Sequence, residues 1–213
     1  MARIVVIGGT GYAGRYIVQE AVSRGHEAVS VSRSVPDAPV AGAGYVQGSA
    51  LDLDGLSDVL DGADVVIESL SPRGDMTDLA LDAVRALIER LGDTSTRLGV
   101  VGGAMGSLSQ PGGPRLWDLG VPEEYRHEAQ FGIDSLELLE QADAGLDWFL
   151  VHPAENFGPW AEGERTGRYR DGGPVVVRAA DGSSSISGAD FAVAIVDEIE
   201  NPQHRRENFA VGY

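Results

Sequence analysis

Ile4-Val5-Val6-Ile7-Gly8-Gly9-Thr10-Gly11-Tyr12-Ala13-Gly14 decides the fold of this 213-residue chain. Four β-branched apolar residues in a row read as a strand buried on both faces. Glycines end the run, and Tyr16, Ile17, Ala21 and Val22 then recur at helical spacing over residues 12–24. The glycines satisfy both Gly9-x-Gly11-x-x-Gly14 and Gly8-x-x-Gly11-x-x-Gly14. Such a turn bends tightly, brings backbone without Cβ against a phosphate and lets helix and strand pack closely. The helix N-terminus adds unpaired N–H groups, so Gly8, Thr10, Gly11, Tyr12, Ala13 and Gly14 are candidates for holding a pyrophosphate.

Working outward, apolar runs continue to alternate with helix-period segments. Strands are expected at 28–31, 64–67, 98–101, 146–151, 174–178 and 208–211, and helices at 53–60, 76–91, 123–141 and 188–199. Repeated βα units predict an α/β protein: a Rossmann-type, doubly wound, mainly parallel sheet in a single domain over residues 1–213. Residues 153–174 break the pattern, being rich in Gly, Pro, Arg and aromatics, and are expected to form a substrate-side loop region.

Composition narrows the chemistry. All 16 basic residues are arginine, which excludes Schiff-base catalysis, a P-loop lysine and any Tyr-Lys proton-donating pair. Cysteine is absent, so no disulfide or thiolate nucleophile is available. The net charge of −17 argues against nucleic acid and anionic membrane as partners, since both need a positive face. No stretch approaches the ~20 apolar residues of a membrane span, and the first apolar run is too short for a signal peptide, so a cytoplasmic protein is expected. His26, His127, His152 and His204 lack ligand spacing, and no metal is expected.

The end of the second strand bears on cofactor type. A carboxylate there would hydrogen-bond an NAD ribose and repel a 2′-phosphate. The residues are Val31-Ser32-Arg33-Ser34, and Ser32 and Arg33 can instead meet that phosphate, favouring NADP(H) over NAD(H). Beyond the third strand, Leu51 and Asp52 stand where adenine usually lies, although Asp52 equally suits a helix cap. Ser69, Leu70, Gly102 and Gly103 follow the fourth and fifth strands, at the edge where open α/β sheets bind ligands.

The chain resembles the atypical short-chain dehydrogenase/reductases, in particular the NAD(P)H-binding flavin reductases and biliverdin-reductase-B-like proteins. The resemblance is carried by the 8–14 turn, Val-Val-Gly-Gly-Ala at 100–104, Leu-Asp-Trp at 146–148 and His152-Pro153-Ala154. Gly-Glu-Arg-Thr-Gly at 163–167, Ile186-Ser187 and the terminal Phe-Ala-Val-Gly-Tyr add narrower markers. It implies cofactor contacts at His152 and Pro153. The superfamily's Tyr-x-x-x-Lys pair is missing, since Tyr125 has Ala129 four residues on. The serine and histidine of the biliverdin-reductase-B pattern fall on Ala104 and Glu155. His152, Tyr125 and Glu155 are the remaining candidates for proton handling.

Reducing a flavin requires little acid–base chemistry; two flat rings must be held in contact. Trp117, Tyr125, Phe157, Trp160 and Tyr169 could frame such a site, and Arg165, Arg168 and Arg170 either meet an anionic group or solvate the loop. The expectation is an NADPH-dependent oxidoreductase, monomer or homodimer, whose partner is a small-molecule acceptor: a flavin, a quinone or a similar conjugated ring. The alternatives are a non-catalytic redox sensor and an isomerase or dehydratase that uses bound cofactor transiently.

Overall fold

A computed structural model describes all 213 residues. Eight strands form one sheet: β1 (Arg3–Ile7), β2 (Glu27–Ser32), β3 (Gly44–Gln47), β4 (Val65–Glu68), β5 (Arg97–Val101), β6 (Trp148–His152), β7 (Arg170–Asp171) and β8 (Glu207–Gly212). Their order is β3-β2-β1-β4-β5-β6-β8-β7, parallel except for β7, which runs antiparallel to β8. Five helices complete the fold: α1 (Tyr12–Ser23), α2 (Ser57–Leu60), α3 (Ala80–Leu91), α4 (Glu123–Glu140) and α5 (Gly188–Glu200).

The β1 run explains the two layers. Side chains alternate across a strand, so Ile4 and Val6 enter the core beneath α1 and α5, while Val5 and Ile7 enter the core beneath α2, α3 and α4. The chain winds outward from β1 to β3, then crosses to the opposite side of β1 to form β4. That reversal opens a crevice beyond the carboxyl ends of β1 and β4. Register aligns these ends: Ile7 pairs with Val31 and Glu68, Glu68 with Val100, and Val101 with Val151. Gly8, Ser32, Ser69, Gly102 and Pro153 therefore emerge along one edge.

Three expected elements differ from those formed. The 53–60 helix shortens to Ser57–Leu60, because Asp52 Oδ1 accepts the Gly55 N–H (3.0 Å) and holds the preceding residues in a turn. The 76–91 helix begins only at Ala80; Gly74, in the left-handed region at φ 58°, precedes a 3₁₀ turn over Gly74–Met76. No strand forms at 174–178. The Gly172 N–H donates to the Ala210 carbonyl and the Gly173 carbonyl accepts from the Ala210 N–H, so the β8 edge there is occupied. Pro174 has no N–H to donate, and Val175 and Val176 instead meet Leu108.

Candidate functional site

A cavity of about 760 Å³ lies along the carboxyl edge of the sheet. Gly8, Thr10, Gly11, Tyr12 and Ala13 form its floor. Gly8 sits at φ 82°, where a Cβ would also come within 2.9 Å of the Ser69 carbonyl. Gly11 caps α1 with extended backbone and no side-chain hydrogen bond, and the first turn of α1 carries no acidic residue. The first N–H groups of α1 have no intrahelical acceptors, which leaves a positive, donor-rich helix end facing the cavity. Gly14 lies beneath the turn and outside the cavity wall; its role is packing, since a Cβ would approach the Gly8 carbonyl oxygen to 2.3 Å.

At the β2–β3 end, Ser32, Arg33, Ser34, Gly48, Ser49 and Ala50 line the cavity. Arg33 Nη1 donates to Asp75 Oδ2 at 3.0 Å. Leu51 and Asp52, expected near adenine, are outside the lining. Leu51 points largely to solvent, and Asp52 spends its carboxylate on the Gly55 turn.

At the opposite end, Ser69, Leu70, Gly102, Gly103 and Pro153 continue the wall, and Tyr125, Phe157 and Trp160 rim it with aromatic surface. Phe157 meets Tyr12 edge-on, with ring centroids 5.2 Å apart, and tilts against Phe191 behind it. Arg73 Nη2 donates to Glu128 Oε2 (2.6 Å), and its guanidinium lies 5.9 Å from the centre of the Trp160 ring.

Other expected residues are not brought here. Trp117 sits on a 3₁₀ turn (Leu116–Leu119) with Arg126 over its ring, outside the cavity. Arg165 grips Glu20 of α1 (2.9 Å), while the Thr166 and Gly167 N–H groups donate to Asp190 of α5 at 2.9 and 2.8 Å. Tyr213 Oη donates to the same Asp190 carboxylate (2.6 Å). The 163–167 segment and the carboxyl end thus converge on one buried acid, which gives both sequence markers a structural reason. Tyr169 Oη donates to Asp197 (3.0 Å) on that far side, and Arg170 is taken up by the carbonyls of Arg178 and Tyr213. Only residues 153–160 of the expected loop region reach the cavity.

The proton-handling candidates are constrained. His152 is fully buried and outside the lining; its Nδ1 donates to the Gly103 carbonyl (2.8 Å), and burial pushes its pKa down to about 4. It is neutral near pH 7 and bears on the cavity by fixing Gly103 and packing against Gly102. Glu155 lines the cavity but pairs with Arg178 (2.6 Å). Tyr125 is exposed, and the chain holds no lysine to pair with it. Beneath the floor, Glu68 is wholly buried. Its Oε1 accepts the Leu70 N–H (2.7 Å), its Oε2 has no partner, and burial pushes its pKa up to about 8.

Residues 8–202 match the family described as NAD(P)H-binding. This chain belongs to that NAD(P)H-binding family. The uncharacterized protein YwnB of Bacillus subtilis is 36% identical over 98% of this chain and 97% of its own length. A candidate NADH-flavin reductase from Streptococcus pneumoniae superposes with a TM-score of 0.90 at 33% identity, over 100% of this chain and 99% of its own. A candidate epimerase from Bacteroides thetaiotaomicron reaches a TM-score of 0.86 at 31% identity, over 100% and 98%. No helix is long and apolar enough to cross a membrane.

The cradle fits an NAD(P)H dinucleotide on its own geometry: an uncapped helix end, a Cβ-free turn and a crevice at the switch point. Sequence reasoning missed Arg73, Asp75 and Glu128. The available signal was the Ser71-Pro72-Arg73-Gly74-Asp75 turn, which directly follows a strand at the ligand-binding edge. Glu68 was missed because a carboxylate at the end of an apolar run reads as the first solvated residue.

Proposed function

We propose that this NAD(P)H-binding protein is an NADPH-dependent reductase that passes hydride to a flavin, quinone or similar conjugated acceptor. The observation that carries the reading is a single cavity joining the Gly8–Ala13 floor to an aromatic rim of Tyr125, Phe157 and Trp160. A bound nicotinamide supplies the hydride. The chain supplies position. The α1 N–H groups and Gly11 would hold the pyrophosphate, Gly102, Gly103 and Pro153 would bind the nicotinamide end, and the aromatic rim would stack the acceptor and shed water. The proton that completes reduction of the acceptor comes from solvent. Catalysis is then orientation rather than general-acid chemistry.

The test follows loss of NADPH absorbance with FMN, FAD and a soluble quinone. Turnover with at least one acceptor is expected. Nucleotide binding without turnover would support the sensor reading, and product formation without net NADPH loss an isomerase. Tyr125→Phe, Glu155→Gln and His152→Gln should each lower kcat by less than ~10-fold, whereas losing a general acid costs ~10²–10⁴. Trp160→Ala and Phe157→Ala should raise the acceptor KM. A thousandfold fall in kcat at one polar position, with KM unchanged, would overturn the orientation mechanism.

For the nucleotide, we propose that Arg33 reads the 2′-phosphate. Arg33→Ala should weaken NADPH by about tenfold, ~1.4 kcal/mol, and leave NADH nearly unchanged. The contact is solvent-exposed, so its strength falls below that of a buried charge-assisted pair. Calorimetry with both nucleotides decides it, and equal losses would remove Arg33 from phosphate reading.

A further inference from the structure

The sequence offers no carboxylate at the end of β2, yet the folded chain places one there. Asp75 comes from the turn after β4 and reaches Arg33 across the mouth of the cavity, with Oδ2 3.0 Å from Nη1. The Asp75 side chain is exposed, but the backbone that carries it is held in place. Met76, the next residue, is buried in the core under β4 and also lines the cavity. Thr77 Oγ1 donates back to the Gly74 carbonyl (2.7 Å), and the Thr77 carbonyl accepts from His127 Nε2 of α4 (2.8 Å). The backbone on its carboxyl side is therefore anchored to both the core and α4.

We infer that Asp75 is a specificity-determining residue that competes with the nucleotide 2′-phosphate for Arg33 and so narrows the preference for NADPH over NADH. The inference rests on the reading of this cavity as a nucleotide site with Arg33 at the adenosine ribose. The physical argument is a competition of charges. A 2′-phosphate that approaches Arg33 must displace Asp75 or share the guanidinium with it, and the two anions repel when shared. The NADH ribose brings hydroxyl groups and no charge, so a carboxylate at this corner can accept a hydrogen bond from it without repulsion. Arginine presents donors on several edges, which allows sharing, so Asp75 tunes the preference rather than abolishing NADPH binding. Both side chains are solvent-exposed, and the effect is correspondingly modest.

The experiment measures NADPH and NADH affinity by calorimetry for the full chain and for Asp75→Asn, Arg33→Ala, the double variant and Asp82→Asn. Asp82 lies on α3 and pairs only with Arg85, so its replacement changes the net charge equally away from the corner. Asp75→Asn should tighten NADPH by about two- to fivefold, as expected for freeing an exposed ion-pair partner, and move NADH by less than about twofold on the same scale. The gain should shrink once Arg33 is alanine. An unchanged ratio of the two affinities overturns the inference. Equal tightening of both nucleotides, or the same gain from Asp82→Asn, also overturns it, because the overall field of a −17 chain would then be the cause. If the unaltered protein binds neither nucleotide, the nucleotide reading itself fails; if it binds both with an insensitive ratio, only the role of Asp75 fails.

Discussion

Gly11→Val is expected to raise the NADPH Kd by ~100-fold or more, ~2.7 kcal/mol, while the protein stays folded. Gly11 has φ −69° and ψ 177°, extended backbone that valine adopts without strain. An added Cβ would meet only the Gly8 carbonyl, at 3.2 Å, and at 3.9 Å that of Ser69. The rest of the side chain would project into the space assigned to the pyrophosphate and shield the α1 N–H groups. The loss at the helix cap is small, since glycine there offers no side-chain acceptor to begin with. Gly14→Ala supplies the contrast: its Cβ would lie 2.3 Å from the Gly8 carbonyl and 2.7 Å from Ser69 Oγ, so it should lower Tm. Calorimetry and thermal melting of the two variants separate site from scaffold. Unchanged NADPH affinity in Gly11→Val would remove the turn from the binding site.

The second large effect is on stability against pH. Glu68 has a folded pKa of about 8 against an ordinary value of 4.5, so its contribution is complete below pH 4.5 and is lost as pH rises toward 8. The loss is ~1.4 kcal/mol per pH unit within that window. His152 works in the opposite sense. Its folded value of about 4 lies below the ordinary 6.5, so its contribution is complete above pH 6.5 and is lost as pH falls toward 4. Between pH 6.5 and 8, Glu68 acts without that opposition. Glu68→Gln keeps an acceptor for the Leu70 N–H and removes the ionisation. Chemical denaturation across this range should show a falling stability in the original protein and a flatter one in the variant. Equal slopes would mean that Glu68 ionises freely in the folded state.

Of the fold, what was readable came from patterns that one segment carries by itself. The β1 run, the glycine turn and the α1 periodicity are local, and each agrees with the burial that the fold imposes. Boundaries failed where a local polar contact or a glycine outweighed periodicity, as at Asp52–Gly55 and Gly74. The expected strand at 174–178 failed because strand formation needs a free neighbouring edge, and the β8 edge was already taken by Gly172 and Gly173.

By itself the sequence determined the strand–turn–helix entrance, the alternating layers and the edge on which the cavity opens, because hydrophobic period and glycine placement act over a few residues. The tertiary structure decided which long side chains meet. It drew Arg165 to Glu20 and Asp190 to the 163–167 backbone, so residues that read as a substrate loop became a clamp. It set Asp75 against Arg33 although 42 positions separate them, and it sealed Glu68 and His152 in the interior. Charge pairing and desolvation depend on distance and burial, and neither is fixed until helices and loops from remote parts of the chain have packed on the sheet.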